Sequence, residues 1–483
     1  MRFSFEQLQQ WLPGAQVVHP VSAEESAATL TALQGVVTDS RSASAGTVFV
    51  ALRGERFDAH DFIESVMQQG AAVIVAEKAP ADPQVPVIVV ADTRIALGQI
   101  GHGWRRQFQL PLIGVTGSNG KTTVKEMIAA ILDAAYGSEG YLGTRGNFNN
   151  EIGVPLTLFR MAPAHRAAVI ELGMNHPGEI ALLSRIAEPT LGLVNNAQRE
   201  HQEFMVNVEA VARENGAVIR HLPQDGVAVF PEGDVFTPLW REEAGARRVL
   251  SFGLTPQANV SASYQAQQFG SELQVSVHGA GAEADGTFSL QLAAVGEHNV
   301  RNALAATACA LGIGVPVAAV VRGLQAFAPV NGRLQRKTAA NGALVIDDTY
   351  NANPDSVRAA IDVLAQVAEP RLLVLGDMGE VGNEGRKFHE EIGAYAQERG
   401  IAHFFGLGEL MQHAVTAYNA AAGKDAIQAR HFDDVETLQQ ATAQAAPAGA
   451  TVLVKGSRFM KMERVVQHLV SVDSDSQHQQ EAH

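Results

Sequence analysis

Short apolar runs recur along the chain with longer, helix-periodic stretches between them, the pattern of βαβ units and a largely parallel sheet. The strands predicted most clearly are AAVIVAE (71–77), LPLIGVT (110–116), AAVIELG (167–173), TLGLVNNA (190–197), ALVIDDTY (343–350), RLLVLGD (371–377) and ATVLVKG (450–456). Residues 122–135 carry Val124, Met127, Ile128, Ile131 and Leu132 at the spacing of one apolar helical face. The segment 256–293 differs. There YQAQQ, ELQVSVHG and FSLQLAAVG alternate polar and apolar residues, which predicts antiparallel strands attached to the middle of the chain. Pro83 and Pro86 mark one joint and FAPVNGRLQ (327–335) another. The chain therefore divides into domains of about 1–90, 91–329 and 330–483. The tail VDSDSQHQQEAH (472–483) has no apolar pattern and is expected to be disordered, its histidines solvated rather than ligating.

Length agrees with this division, since 483 residues at roughly 150 per domain make three. With 46% hydrophobic and 18% charged residues the chain is globular, and the alternation of strands and helices makes it α/β in class. Lys and Arg number 36 against 51 Asp and Glu, a net charge of −15, which argues against a nucleic-acid binder. Cys309 is the only cysteine, so intrachain disulfides and cysteine metal clusters are excluded; in ALAATACALGIG it reads as a buried core residue. The N-terminus lacks the basic start and apolar stretch of a secretory signal. No apolar run reaches 18 residues, so no membrane insertion is expected and the chain reads as cytoplasmic.

LIGVTGSNGKTTVKEM places an apolar strand, a glycine-rich turn and an amphipathic helix in sequence. Gly117 and Gly120 allow backbone N–H groups to turn toward a polyphosphate, with Ser118, Asn119 and Thr123 in the same loop. Lys121 neutralises phosphate oxygens and the Thr122 hydroxyl can ligate Mg²⁺. Val115 stands where the strict eight-residue phosphate-loop pattern has its first glycine. The bland alternative is a glycine-rich turn that caps a helix. For a metal-bound water, Asp347 or Asp348 of ALVIDD is one candidate acid. Nearer by are Glu171, which ends the strand AAVIELG, and His201, shortly after TLGLVNNA, both beyond the C-terminal ends of predicted parallel strands. Taken alone, each is more commonly a cap, an ion-pair partner or a surface side chain.

GSNGKTT (117–123), TRGNFNNEIGVPLTL (144–158), ELGMNHPGEI (171–180), GEHNVRNALAA (296–306), NGR (331–333), DDTYNANPDS (347–356), LGDMGEVG (375–382) and KGSR (455–458) together resemble the Mur ligases, in order and over nearly the whole chain. The Tyr-Asn-Ala-Asn-Pro and Leu-Gly-Asp-Met runs resemble the member that adds D-alanyl-D-alanine. The resemblance implies an N-terminal UDP-binding domain, a central P-loop ATPase domain and a C-terminal Rossmann-like domain. It implies ATP-dependent joining of D-alanyl-D-alanine to UDP-MurNAc-tripeptide through an acyl phosphate; a monomer is expected. TDSR (38–41), with Ser40 and Arg41, and TVFVALRGERFDAHDF (47–62) resemble the uridine-nucleotide segment, with Ala59 where the family usually has glycine.

The resemblance also assigns roles. Thr122 would hold a first Mg²⁺, and Glu171 and His201 a second, with Mn²⁺ as the alternative ion. Asn299, Asn302, Asp347 and Tyr350 would contact adenine and ribose, and Arg333 the phosphates. Asn149 and Asn150 would meet the muramoyl-tripeptide, and Asn351 and Asn353 the dipeptide side of the cleft. No residue stands out as the base for the attacking amine. Mur ligases commonly carry a carbamylated lysine where VARENGAV (211–218) has Asn215, and an amide cannot be carbamylated. Either the Asn215 oxygen, a water or a nearby carboxylate is then expected in its place. Two other readings stay open: a relative with another amine acceptor, such as the preceding Mur ligase or folylpolyglutamate synthase, and a P-loop ATPase that drives movement.

Overall fold

The computed structural model describes residues 1–19, 32–54, 57–200, 202–267, 270–423 and 426–471. The tail 472–483 and His201 lie outside the described residues. Each of the predicted apolar runs forms a strand: Val73–Ala76, Leu112–Thr116, Ala167–Glu171, Leu191–Val194, Leu344–Asp348, Arg371–Gly376 and Thr451–Lys455. All but the edge of Leu344–Asp348 are buried along their length except for the first residue of Arg371–Gly376, as expected of strands covered on both faces.

Three sheets result. The N-terminal sheet has the order Gln16–Val18, Val87–Val89, Val73–Ala76, Val48–Val50, Val36–Val37, antiparallel only at the first pair. The helix Thr93–Arg105 leaves this sheet and packs on the central-domain helices Gly153–Leu158 and Glu179–Ala187. Gly103 of that helix lies directly against the Trp11 indole, where a Cβ would collide. Trp11 and Trp104 meet edge to face at 6.5 Å, tying the N-terminal helix Phe5–Trp11 to the same seam.

The central sheet has nine strands. From Tyr141–Gly143 at one edge, through Ala167–Glu171, Leu112–Thr116, Leu191–Val194, Val227–Pro231 and Arg248–Gly253 to Val260–Gln267, all pairs are parallel. Val260–Gln267, Gly270–Val277 and Gly286–Leu292 then form the antiparallel extension that the alternating pattern predicts. The chain reverses direction across the sheet at Leu112–Thr116, whose neighbours are Ala167–Glu171 on one side and Leu191–Val194 on the other. The C-terminal ends of these three strands therefore bound the crevice where such sheets bind ligands. The C-terminal sheet runs Gln335–Thr338, Leu344–Asp348, Thr451–Lys455, Arg371–Gly376, His403–Leu407, Arg430–Phe432, parallel except for its first pair.

Two helices cover the central sheet beside the crevice. Lys121–Tyr136 buries Val124, Met127, Ile128, Ile131 and Leu132, the predicted apolar face, and Glu297–Gly312 packs against it. Cys309 lies on the second helix, fully buried in this core, and burial pushes its thiol well above the usual range. The sequence expectation of a buried core cysteine therefore holds. A thiol-specific colorimetric reagent should label less than about a tenth of the native protein in the time that labels the urea-unfolded chain fully; stoichiometric labelling of native protein would show that this core opens.

Candidate functional site

The phosphate loop connects Leu112–Thr116 to the helix Lys121–Tyr136. Gly117 and Gly120 have φ of +137° and +81°, in the region that side chains disfavour. They are also cramped: a Cβ on Gly117 would lie 2.9 Å from Asn195 Cβ, and one on Gly120 2.7 Å from Asn302 Oδ1. The helix has no side-chain cap, which leaves its first N–H groups and its dipole to the open side of the loop.

A set of amides holds the loop from behind. Asn119 N–H donates to Asn196 Oδ1 at 2.8 Å, and Asn195 Nδ2 and Asn196 Nδ2 each donate to the Asn119 carbonyl at 2.8 Å. Asn195 Nδ2 also donates to Asn302 Oδ1 at 3.0 Å, Asn302 Nδ2 to Asn299 Oδ1 at 3.1 Å, and Asn299 Nδ2 to the Val295 carbonyl at 2.8 Å. Asn299 and Asn302 line the cavity, and they also brace the loop. Sequence reasoning missed Asn195 and Asn196; two asparagines directly after a buried parallel strand are the signal that was available.

Lys121 Nζ donates to the Gly117 carbonyl, to the Ser118 carbonyl at 2.9 Å and to Glu200 Oε1 at 2.8 Å. Thr122 Oγ1 donates to Glu171 Oε2 at 2.9 Å, and Asn149 Nδ2 to Glu171 Oε1 at 2.9 Å. Thr122 and Glu171 are buried, so two hard oxygen ligands of the kind Mg²⁺ takes meet beside the loop. Among the described residues no group of three His, Cys, Asp or Glu side chains converges. A cation there would need phosphate oxygens and waters as further ligands, which suits Mg²⁺ beside a nucleotide.

These residues open on a cavity of about 1060 Å³ between the central and C-terminal sheets. Ser118, Asn119, Gly120, Lys121, Thr122, Thr123, Asn149, Asn150 and Glu171 line it from one side, and Arg333, Tyr350, Asn351 and Asn353 from the other. The Arg333 guanidinium lies 4.1 Å from the Tyr350 ring centroid. Asn353 caps the helix Pro354–Ala365 and exchanges amide hydrogen bonds with Asn119, its Nδ2 donating to Asn119 Oδ1 at 2.9 Å. His298 also lines the cavity, and burial pushes its imidazole below the ordinary value against the pull of Asp348.

One expectation needs correcting. Asp347 does not line the cavity; it is buried on the other face of its strand, 2.6 Å from Lys337 Nζ and bonded by Thr349. Successive residues of a strand face opposite ways, and the acid that faces the cavity is Asp348, paired with the buried Lys455 at 2.7 Å. Asn150 lines the cavity, but its Oδ1 accepts from the N–H groups of Ile152 and Gly153 and starts the helix Gly153–Leu158.

Ser40 and Arg41 sit in a short turn, Ser40–Ser42, and do not line this cavity. The exposed Arg41 guanidinium beside Asp39 holds that carboxyl down at about 2. Ala59 begins the turn Ala59–Phe62, buried and without a positive φ, so the missing glycine costs no backbone strain.

Asn215 is fully buried on the helix Val208–Asn215, outside the cavity lining, and its Oδ1 accepts from Thr116 Oγ1 at 2.6 Å. Its oxygen is thus already engaged beneath the phosphate loop rather than turned to the cavity. Gln198, Arg199 and Glu200 in the loop after Leu191–Val194 also face the site or the C-terminal domain, and the sequence reading gave them no role.

A phosphate loop with an acid and a hydroxyl beside it, completed by a second α/β domain across a cleft, defines a nucleotide-dependent enzyme whose active site is assembled between domains. Residues 115–310 match the family description Mur ligase middle domain, 332–458 the Mur ligase glutamate ligase domain and 32–105 the Mur ligase family catalytic domain. The chain belongs to the Mur ligase family. It is 36% identical to the UDP-N-acetylmuramoyl-tripeptide–D-alanyl-D-alanine ligase of Escherichia coli, over 94% of this chain and 97% of that one. Its structure is similar to that of MurF from Acinetobacter baumannii, with a TM-score of 0.86, 35% identity and coverage of 97% and 99%. It is also similar to MurF ligase from Thermotoga maritima in complex with ADP, with a TM-score of 0.79, 26% identity and coverage of 90% and 97%.

With an asparagine at position 215 and its oxygen committed to Thr116, ligation by this chain should not depend on carbamylation there. Activity should be unchanged by CO₂ depletion and by added bicarbonate. A loss on depletion that bicarbonate restores would show that a lysine elsewhere carries a carbamate.

Proposed function

We propose that this chain joins D-alanyl-D-alanine to UDP-N-acetylmuramoyl-tripeptide with consumption of ATP, giving UDP-MurNAc-pentapeptide, ADP and phosphate in peptidoglycan synthesis. One observation carries the reading: a single cavity is lined at once by the phosphate loop, by Asn149 and Asn150, and by Asn351 and Asn353 of the C-terminal domain. It is supported by likeness to ligases of that name over nearly the whole chain. Residues 1–90, 91–329 and 330–483 would serve as uridine-nucleotide, ATP and dipeptide domains of a cytoplasmic monomer. Among the described residues no helix is long and apolar enough to cross a membrane.

A carboxylate is a poor acyl donor, so the tripeptide carboxylate attacks the γ-phosphorus and ADP leaves. The amine of the dipeptide then attacks the acyl carbon, and phosphate departs as the amide forms. The first step brings two anions together and requires cationic screening. Mg²⁺ (or Mn²⁺), when bound, supplies part of that screening, with Thr122, Glu171 and, by the family pattern, His201 as its ligands. Lys121 supplies the rest, leaving Glu200 for the phosphate oxygens. The helix start at Lys121 and the loop N–H groups orient the polyphosphate. Tyr350 and Arg333 would cover adenine and phosphates from the C-terminal side, with Asp348 rather than Asp347 facing the nucleotide.

Phosphate release measured with D-alanyl-D-alanine, diaminopimelate or glutamate as acceptor tests this directly. Turnover should require D-alanyl-D-alanine; another acceptor would place the chain elsewhere in the family, and acceptor-independent turnover would favour a motor-type ATPase. Lys121→Ala should lower kcat by a factor on the order of 10³ while far-UV circular dichroism is unchanged, and near wild-type turnover in that variant would refute the phosphate-loop role.

A further inference from the structure

The loop after Leu191–Val194 is held from two sides. Toward the phosphate loop, Ser118 N–H donates to the Asn196 carbonyl at 3.1 Å, Gln198 N–H to Ser118 Oγ at 2.9 Å, and Asn119 Nδ2 to Gln198 Oε1 at 2.6 Å. Glu200 reaches Lys121 from the same loop. Toward the C-terminal domain, Arg199 spends its backbone N–H and its whole guanidinium. Its N–H donates to Asp355 Oδ2 at 2.8 Å, its Nε and Nη2 to Asp355 Oδ1 at 3.1 and 2.6 Å, and its Nη1 and Nη2 to Glu391 at 2.7 and 3.1 Å. Arg358 also donates to Glu391 at 3.1 Å, and the Phe388 ring centroid lies 5.4 Å from the Arg199 guanidinium.

We infer that Arg199 is a positioning residue for ligation: with Asp355 and Glu391 it latches the C-terminal domain closed on the phosphate loop. Three features separate this from an ordinary surface ion pair. The partners are 156 and 192 residues away in sequence and belong to the other side of the cleft. Asp355 lies in the first turn of the helix that Asn353 caps, so the latch fixes the Asn353–Asn119 contact and with it the domain's approach to the loop. The side chains are mostly withdrawn from solvent, with exposures of 23% for Arg199, 23% for Asp355 and 33% for Glu391. Opening returns all three charges to water, which offsets much of the attraction lost, so the latch can close and release in each cycle. A bidentate guanidinium fits this double task and a lysine does not.

The inference rests on the proposed ligase reading for what is positioned, but its test does not need the acceptor to be right. Arg199→Ala, Arg199→Lys and Asp355→Asn are compared with the unaltered full-length enzyme. Small-angle scattering with a saturating nonhydrolysable ATP analogue and Mg²⁺ should give a larger radius of gyration for Arg199→Ala than for the parent, with Arg199→Lys between them. Turnover at saturating substrates should fall about ten- to a hundredfold in Arg199→Ala, with the KM for ATP changed by less than about twofold. Combining Arg199→Ala with Asp355→Asn should cost no more than the first change alone, because both break one interaction. Equal radii, full activity in a folded Arg199→Ala protein, or additive losses in the double variant would each overturn the latch. Should Arg199→Ala fail to fold, Arg199→Lys and Asp355→Asn, which keep the packing, decide by the same measurements. Loss of D-alanyl-D-alanine dependence in the parent would instead count against the ligase reading and leave the scattering result standing.

Discussion

A loop that offers backbone N–H groups to a polyphosphate must be held in shape by something other than the phosphate. Here the holding is done by amide side chains behind it. Asn195, Asn196 and Asn302 approach so closely that only glycine fits at 117 and 120, and their hydrogen bonds fix the Asn119 peptide. Because Asn302 belongs to the helix Glu297–Gly312 and Asn195 follows the strand Leu191–Val194, the loop is registered against two separate elements of the core. Buried amides in such a chain are costly to leave unpaired, which favours one loop geometry over its alternatives.

The second half of the site comes from the C-terminal sheet, and beside the phosphate loop the contact between the halves is polar, while Val295 packs on the C-terminal core. The Asn119–Asn353 amide pair and the Arg199 ion pairs span it. A polar seam can separate without exposing large apolar area. That property suits an enzyme that must admit a nucleotide, a large sugar nucleotide and a dipeptide and then exclude water. Within the central domain, Lys121 is paired with Glu200, and Glu171 accepts from Thr122 and Asn149, so the groups that would meet the nucleotide already have hydrogen-bond partners. Nucleotide binding exchanges those partners rather than burying bare charge.

Much of this was legible in the sequence because the central strands are buried on both faces and so read as continuous apolar runs. The helix Lys121–Tyr136 and the antiparallel extension followed from their 3.6- and 2-residue periods. Val36–Val37 and Tyr141–Gly143 are too short to leave a run, and their pairing is set by neighbours distant in sequence. Asp347 and Asp348 differ by one step along a strand, and adjacency in sequence cannot say which faces the cleft. Asn215 departs from a family pattern, yet its place beneath Thr116 depends on how a helix packs under the sheet. Arg199 has its partners 156 and 192 residues away, so nothing local marks it.

On this geometry nucleotide phosphates take over Lys121 from Glu200 while the asparagines hold the loop fixed. A crystal structure with a nonhydrolysable ATP analogue and Mg²⁺ tests it most directly. Lys121 Nζ should then lie on β- or γ-phosphate oxygens, with Thr122 Oγ1 turned toward the metal and the Asn195–Asn302 and Asn195–Asn119 hydrogen bonds unchanged. A nucleotide bound away from the loop, or Lys121 still paired with Glu200 beneath a bound triphosphate, would contradict it.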